Sequence, residues 1–467
     1  MHQTKRNMVV VSAAALVFLA EPAVFGQKAP TPKAQVNASI SWNVKKQVIV
    51  GFGASGAFGQ AALLESFAPP TRTKILNLLF SPKQGIGLTV VRSLVNDGSG
   101  AEGNGQTIEP SPGTWYWSIL PDSQIWLMRQ AAKYGVKTLM ATPWSPPAWM
   151  KANNALAGGT GQTNNTLLPQ YYHAYAVYLA NYVNGYFSHF HVRITDISVQ
   201  NEPDQNQTYD SAIWTPAEFN TFIKNDLGPV FAQKRVKAKI IMPEQSFWGE
   251  QYALPTLRDK AASKYVSIVA AHGYGGTIAP LSVAQKEGKQ IWETEYSTFT
   301  PEDPSMTNGI SVAQTVNQYL TVANVSVWNY WWLVNGQTND NEGLINLMGT
   351  SGYVANKRLY TLGNFSRFIR PGYVRVGSSV HPAPGISMSA YKDTKTGQFA
   401  VVVINANHAP RTYALAGLPQ GVRVATPFVT SASQNLAKGP GRVVTSGRLW
   451  AKLSPMSVTT FVGRIGN

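Results

Sequence analysis

Residues 194–204 read ITDISVQNEPD, a strand-length run that leads directly into a cluster of polar side chains. Seven more strand-length runs recur along the chain, and helix-capable stretches separate them. Most of the runs are continuously apolar, which is typical of strands covered on both faces. Eight βα units in unbroken alternation predict a (β/α)8 TIM barrel, an α/β fold, with a doubly wound sheet as the alternative. The other runs are QVIVGFG, GLTVVRSL, VKTLMATP, AKIIMPEQ, VSIVAAHGYG, KQIWETEYS and VSVWNYWWL.

The chain divides into regions of different sequence texture. We assign residues 48–372 to the barrel, because short alternating runs separated by turn residues begin near Tyr373. These runs predict a C-terminal β-sandwich over residues 373–467. Residues 37–47 also alternate, and we expect them to add an N-terminal strand to that sandwich. Within the barrel, helices are predicted over residues 71–79, 125–134, 170–187, 216–227 and 312–323.

The N-terminus has the pattern of a secretory signal. Lys5 and Arg6 precede an apolar run, and small residues follow that run near position 26. This predicts a signal peptide over residues 1–26 and a linker over residues 27–36. We therefore expect an exported protein, periplasmic or extracellular. We expect no membrane span in the mature chain, since no later segment is long and apolar enough.

Composition narrows the function classes. The 467-residue chain has no cysteine, which excludes disulfides, thiolate catalysis and cysteine-ligated metals. The formal charge is +16, but the basic residues are scattered, so we do not predict nucleic acid as a partner. A basic exported protein of this size is compatible with anionic polymers or with a surface kept soluble by charge. We expect a monomer.

Gly51, Gly53 and Gly56 match the G-x-G-x-x-G pattern of dinucleotide-binding proteins. Such a site requires an acidic residue about 20 residues further on, at the end of the next strand. Residues 69–73 read PPTRT, and the next predicted strand begins only near Gly87. We therefore interpret the glycines as packing positions at the barrel entrance and predict no cofactor.

Carboxylates follow or end two of the predicted barrel strands. Glu202 follows strand four, while Glu293 and Glu295 lie on strand seven. Active sites of such barrels lie at the C-terminal ends of the strands. Two carboxylates across a Trp-lined barrel mouth are suited to glycoside hydrolysis, in which one protonates the leaving oxygen and the other attacks the sugar or activates water. We predict no metal site, and we interpret His272 as a hydrogen-bonding residue.

Four motifs together, VQNEPD, IWETE, TPWSPPAWMK and GFGASGAF, resemble glycoside hydrolase family 30. The resemblance covers nearly all of the mature chain and implies a barrel with a side β-sandwich built from both chain ends. It implies Glu202 as acid/base and Glu295 as nucleophile, whereas Glu293 receives no role. The resemblance also implies substrate-binding roles for Asn201, Tyr274, Trp144, Trp332 and Arg92. We add Trp331 and Trp149, which lie near the same strand ends, to the predicted binding residues.

The resemblance is to the xylanase branch of that family. It implies a retaining hydrolase of β-linked plant cell-wall polysaccharide, with endo-β-1,4-xylanase as the leading hypothesis. Residues 334–340 read VNGQTND, without the arginine that binds glucuronate in bacterial glucuronoxylanases of this branch. Other specificities stay open: a β-1,6-glucanase, an exo-acting β-xylosidase, or a β-glucosidase resembling glucosylceramidase. A catalytically inactive carbohydrate-binding protein is the alternative outside the enzymes.

Overall fold

The computed structural model describes residues 35–96, 98, 107–117, 122–159, 164–299, 301–337 and 339–465. The predicted signal peptide lies outside these residues, as does most of the predicted linker. The described residues belong to one compact unit, Gln35–Asn467. No helix among them is long and apolar enough to cross a membrane.

The first strand, β1 (Gln35–Val48), starts two residues before the predicted N-terminal strand. Its first residues alternate between exposed and buried, with Val36, Ala38 and Ile40 facing inward. This period-two pattern extends the strand into the last two residues of the predicted linker. β1 pairs with strands from the C-terminal part of the chain, so it belongs to the sandwich.

Eight parallel strands close into a barrel, which confirms the predicted fold. Each predicted run overlaps one barrel strand, and the last strand pairs with both the first and the seventh. An apolar layer that includes Val90, Met140, Ile241 and Trp292 fills the barrel interior. The barrel strands are β2 (Gly51–Ser55), β3 (Val90–Leu94), β4 (Thr138–Thr142), β5 (Asp196–Ser198), β6 (Lys239–Gln245), β7 (Val266–Ala271), β8 (Gln290–Tyr296) and β9 (Val327–Asn335). A hairpin of β10 (Gly343–Met348) and β11 (Gly352–Ala355) extends the sheet beside β9.

The fingerprint glycines allow close strand packing. A Cβ at Gly53 would lie 2.5 Å from the Val90 carbonyl oxygen and 2.6 Å from Asn329 Oδ1. A Cβ at Gly51 would lie 2.1 Å from Thr89 Oγ1. Real side chains do not tolerate such distances, so β2 can sit between β3 and β9 only with glycine at these positions.

Helices cover the outside of the barrel, and two of them differ from prediction. Residues 216–227 were predicted as one helix, but the α-helix ends at Phe222 and one π-helical turn, Ile223–Leu227, follows. Pro229 lacks an N–H and would collide with the carbonyl of residue 225, so the wider turn lets the helix continue. The helix predicted from residue 312 begins at Met306, because the Ser305 side chain accepts a hydrogen bond from Thr307 N and caps it. The helices are α1 (Gln60–Ser66), α2 (Pro69–Phe80), α3 (Ser123–Lys133), α4 (Tyr172–Phe190), α5 (Pro216–Phe222), α6 (Gly228–Gln233), α7 (Leu254–Arg258), α8 (Lys260–Ser263), α9 (Ser282–Lys286), α10 (Met306–Gln318) and α11 (Lys357–Ser366).

The C-terminal strands form a second sheet that closes on itself. β1 joins it by pairing antiparallel with β12 and parallel with β15, and β20 pairs with both β14 and β16. Helix α11 packs against this sheet, where Asn364 Nδ2 donates to Thr460 Oγ1 at 3.0 Å. The strands are β12 (Val374–Ser378), β13 (Ile386–Lys392), β14 (Gln398–Asn405), β15 (Arg411–Ala416), β16 (Val424–Ser431), β17 (Gln434–Lys438), β18 (Arg442–Thr445), β19 (Arg448–Leu453) and β20 (Ser457–Arg464).

Candidate active site

The two predicted carboxylates meet at the C-terminal mouth of the barrel. Glu202 lies four residues after the end of β5, and Glu295 lies near the end of β8. A carboxylate oxygen of each and a ring nitrogen of His272 all lie within 4.8 Å of one another. Both side chains are nearly buried, at 8% and 5% exposure. The barrel thus brings together two acidic groups that are 93 residues apart in the sequence.

Glu295 is held from three sides. Tyr274 Oη donates to its Oε1 at 2.8 Å, and Arg92 donates to its Oε2. Its backbone N–H donates to Glu293 Oε1 at 3.0 Å. Burial raises the pKa of Glu295, whereas the positive charges of His272 and Arg92 act in the opposite direction. The carboxylate is therefore fixed in position, and its pKa stays raised because burial and the charge of Glu202 outweigh the two cations.

Glu293 has a position that the sequence left without a role. It is fully buried one layer below Glu295, on the same side of β8. Its other oxygen accepts a hydrogen bond from Asn329 N at 3.3 Å, so the side chain ties β8 to β9. Burial raises the pKa of Glu293 well above its ordinary range, which favours the neutral acid.

Arg92 is a buried cation at the centre of the site. Its Nη2 donates to Asn201 Oδ1 at 2.6 Å and lies 3.4 Å from Glu244 Oε1. The guanidinium carbon lies 4.6 Å from the centre of the Trp144 ring, a cation–π contact. One planar side chain thus orients Glu295, Asn201 and the aromatic wall together.

The backbone around Glu202 is strained. Glu202 has φ 40° and Glu244 has φ 57°, both in the left-handed region that residues other than glycine rarely adopt. The Glu202 N–H donates to the Glu244 carbonyl at 2.9 Å, so the two strained residues hold each other. Strain of this kind concentrates at functional sites, where the surrounding structure must maintain it.

His272 lies between the carboxylates, in agreement with its interpretation as a hydrogen-bonding residue. Its Nδ1 lies 3.0 Å from Glu202 Oε1 and 3.8 Å from Glu295 Oε2. Burial lowers the pKa of His272, but the charge of Glu295 and the bonds to Glu202 and Glu244 outweigh burial and raise it to about 10. The imidazolium form therefore offsets part of the negative charge of the site.

Glu244 was not singled out from the sequence. It is fully buried at the end of β6, and its Oε2 accepts a hydrogen bond from Thr142 Oγ1 at 3.0 Å. Burial acts to raise its pKa, yet Arg92 and His272 lower it to about 2. The sequence did contain a signal for Glu244, which lies near the end of the apolar run AKIIMPEQ. Glu202 has a similar position after its own run.

Aromatic side chains wall the cleft above the carboxylates. The cleft holds about 780 Å³, and Trp144, Trp331 and Trp332 line it together with Tyr274 and Asn201. The rings of Trp331 and Trp332 stack at 5.0 Å. Flat apolar faces beside polar groups are suited to a sugar ring, which has both kinds of surface.

Trp149 lies away from this cleft. Its indole N–H donates to the Glu109 carbonyl at 3.0 Å, and its ring packs edge-on against Tyr171 at 5.3 Å. It does not line the cleft that the other predicted binding residues form. Its predicted contact with substrate has no support from this geometry.

Several cleft residues come from connecting segments that carried no sequence signal. Phe58 packs edge-on against Trp144 at 5.3 Å and narrows the cleft. Glu342 lies between β9 and β10, with its backbone held by Asp340 and Trp332. The other lining residues that the sequence missed are Gln60, Gln205, Gln207, Tyr209, Ser246, Phe299 and Gln337. These residues come together only in the folded barrel, so no local sequence pattern marks them as cleft residues.

The protonation of His272 bears on whether the site could hold a metal ion. Glu202, His272 and Glu295 offer ligand atoms close enough for a metal ion, but the raised pKa of His272 favours a proton on the ring nitrogens that a metal would need.

A larger groove of about 960 Å³ runs along α3 on the outer wall of the barrel. Neither Glu202 nor Glu295 lines that groove, so the barrel mouth is the candidate active site.

Comparison with known proteins agrees with this geometry. A glucuronoxylanase of Bacillus subtilis is 28% identical over 380 residues, covering 78% of this chain and 83% of the relative. The crystal structure of a family 30 subfamily 8 xylanase from Clostridium acetobutylicum matches with 30% identity and a TM-score of 0.78, covering 92% of this chain and 100% of that one. The catalytic domain of a family 30 xylanase from Talaromyces cellulolyticus matches with 28% identity and a TM-score of 0.77, covering 91% and 99%. The model of the glycosyl hydrolase family 30 TIM-barrel domain matches residues 49–291, more than half of the chain, and the chain therefore belongs to glycoside hydrolase family 30.

Proposed function

We propose that this family 30 glycoside hydrolase is an exported endo-β-1,4-xylanase that acts by double displacement. The observation that carries the proposal is the carboxylate pair, whose nearest ligand oxygens lie within 4.8 Å of each other. Retaining enzymes have their carboxyl groups about 5–5.5 Å apart, whereas inverting enzymes need a wider gap for water. Retention of anomeric configuration is general in family 30, and this close pair agrees with it.

Each carboxylate has a role that fits its surroundings. A Glu295 oxygen attacks the anomeric carbon, the glycosidic C–O bond breaks, and the proton of Glu202 passes to the leaving oxygen. In the second step Glu202 takes a proton from water, the water oxygen attacks the same carbon, and Glu295 is released. Arg92 and Tyr274 support the Glu295 anion before and after the reaction.

The choice of xylan rests on the relatives and on the cleft. Three of the similar proteins, at 28–30% identity, are xylanases, and their similarity extends over most of this chain. Export rests on the sequence pattern of residues 1–26. The stacked Trp331 and Trp332 beside the carboxylates provide a platform for a chain of sugar rings.

The test is product analysis on defined oligosaccharides. We expect β-1,4-xylohexaose to be cut at internal bonds into xylobiose, xylotriose and xylotetraose, while β-1,6-linked and β-1,4-linked gluco-oligosaccharides stay intact. Glu295→Ala should abolish turnover, and azide should restore it by forming a glycosyl azide of inverted configuration. Glu287→Gln, a change at an exposed carboxylate outside the cleft, serves as control. Release of xylose alone from the chain end, or cleavage of only the glucans, would contradict the proposal.

A further inference from the structure

The cleft contains a third carboxylate that the reaction does not use. Glu342 lines the cleft together with Glu202 and Glu295. Its side chain is only partly exposed. No described residue donates a hydrogen bond to its carboxylate or pairs with it. A carboxylate that faces the cleft without a protein partner keeps its oxygens available to accept hydrogen bonds from water or from a ligand.

The backbone fixes where this carboxylate stands. The Glu342 N–H donates to Asp340 Oδ1 at 2.9 Å, and its carbonyl accepts from Trp332 N at 3.1 Å. Asp340 is itself held by Asn335 Nδ2 at 2.7 Å. Glu342 is therefore anchored directly beside Trp332, one of the walls on which a sugar ring is proposed to lie.

The charge balance of the cleft is opposite to that of the whole protein. The chain carries a formal charge of +16, yet among the described residues that line the cleft there is no lysine or arginine. Three carboxylates line it, while the cations Arg92 and His272 lie beneath and are engaged by Glu295, Glu202 and Glu244. The cleft surface that a substrate meets beside Trp332 is therefore anionic or neutral.

We infer that Glu342 is a specificity-determining residue, which accepts hydrogen bonds from sugar hydroxyls and excludes sugars that carry a carboxylate beside Trp332. This inference rests on the proposed xylanase function and deepens it, since it names the substrate as uncharged xylan backbone. A carboxylate receives two hydroxyl donors well. The same group repels an acidic side group in the low-dielectric cleft.

The exclusion depends on pH in a defined direction. Burial raises the pKa of Glu342 to about 7, and the charges of Asp340 and Glu295 act in the same direction. The other titratable groups that line the cleft are Glu202, Tyr209 and Tyr274. The cations Arg92 and His272 lie beneath them, against Glu295 and Glu202. Glu342 is neutral well below pH 7 and ionised above it, so discrimination against an acidic sugar rises between pH 5.5 and pH 8.

The experiment compares three substrates that differ in one group. They are linear xylan oligosaccharide, the same chain with a glucuronic acid branch, and that branched chain after reduction of its carboxyl to an alcohol. The reduced form keeps the bulk of the branch and removes its charge. The readout is kcat/KM on the reduced chain divided by kcat/KM on the acidic chain, measured at pH 5.5 and pH 8. The ratio is determined for the unmodified protein and for Glu342→Gln. Glu287→Gln serves as the charge-matched control.

We expect the protein to prefer the reduced chain about tenfold at pH 8 and less at pH 5.5. Glu342→Gln should bring the ratio near one at both values, and Glu287→Gln should leave it unchanged. A ratio near one in the unmodified protein, or a ratio that Glu342→Gln does not alter, overturns the inference. If no xylan is cleaved, the proposed function fails instead, and the same comparison is made on the neutral glucan that is cleaved and its C6-carboxylated form.

Discussion

Three glutamates at the barrel mouth show how surroundings set the charge of one side-chain type. Glu244 and Glu293 are both fully buried, yet the pKa of Glu244 falls to about 2 while burial raises that of Glu293 well above its ordinary range. Arg92, 3.4 Å from Glu244, and His272 lower the pKa of Glu244, whereas burial dominates at Glu293. Glu295 lies between these extremes, since burial and Arg92 act on it in opposite directions.

We expect Arg92, together with His272, to determine where the proposed nucleophile Glu295 ionises and thus the acidic limb of the pH profile. In Arg92→Gln, Glu295 loses a cation that lowers its pKa, so the carboxylate ionises only at higher pH. We expect the acidic limb of kcat/KM to move upward by about 1–3 pH units and the maximal rate to fall. Arg193→Gln, at an exposed arginine, is the control. If the acidic limb does not shift in correctly folded Arg92→Gln, then Arg92 does not control the ionisation of Glu295.

Glu293 contributes to stability through two backbone hydrogen bonds. Glu293→Leu leaves the N–H groups of Glu295 and Asn329 unpaired, and each costs about 1–3 kcal/mol of unfolding free energy. Glu293→Gln keeps one acceptor and should lose about half as much. Denaturant titration of the two variants measures this order.

The pH dependence of the same variants has a definite sign. The folded-state pKa of Glu293 is raised, so its stabilising contribution is fully present below its unfolded pKa and is lost as pH rises through the folded value. The stability gap between the protein and Glu293→Gln should therefore narrow from pH 5 to pH 8. A gap that widens would mean that Glu293 is buried as an anion.

Among the secondary-structure elements, the barrel strands could be predicted from the sequence. Continuous apolar runs gave all eight barrel strands, because a strand covered on both faces needs apolar residues at every position. The interruption after α5 and the start of α10 were not predicted, since they depend on Pro229 and on the cap at Ser305. Sequence also failed for the loop residues of the cleft, such as Phe58 and Glu342. Their proximity arises from strand order, which periodicity does not encode.

Close packing around β2 predicts the effect of one methyl group. Gly53→Ala places a Cβ against the Val90 carbonyl and Asn329, and β2 must move away from its neighbours. We expect a loss of about 1–3 kcal/mol in unfolding free energy. Gly275→Ala is the matched control, because its Cβ would meet only Phe247 at an ordinary 3.5 Å. Equal stability of both variants in thermal or denaturant unfolding would refute the packing role of Gly53.

The barrel and the sandwich share an apolar cluster where they meet, while the interior of the sandwich forms a cluster of its own. Residues from the barrel wall and from the second sheet, including Phe365, Tyr391 and Val458, belong to a single buried cluster. Lys357 of α11 donates to the Ser431 carbonyl at 2.6 Å and to Asn435 Oδ1 at 2.7 Å. The two sheets are therefore stabilised by each other.

This shared cluster predicts cooperative unfolding. Calorimetry should show one transition for the whole described unit, because exposing the sandwich face also uncovers the barrel helices. Lys357→Met removes the bridging hydrogen bonds and should lower the midpoint while keeping a single transition. Two separate transitions in the unmodified protein would show that the sheets fold independently.

In the proposed double displacement, Glu295 attacks the sugar and forms a covalent intermediate. The most direct test is mass spectrometry after reaction with an activated 2-deoxy-2-fluoro-β-xylobioside, which slows release of that intermediate. We expect one added glycosyl group on the peptide that contains Glu295, and none in Glu295→Gln. A label on Glu202 or Glu342, or hydrolysis to an α-configured first product without any label, would contradict the assignment of Glu295 as the nucleophile.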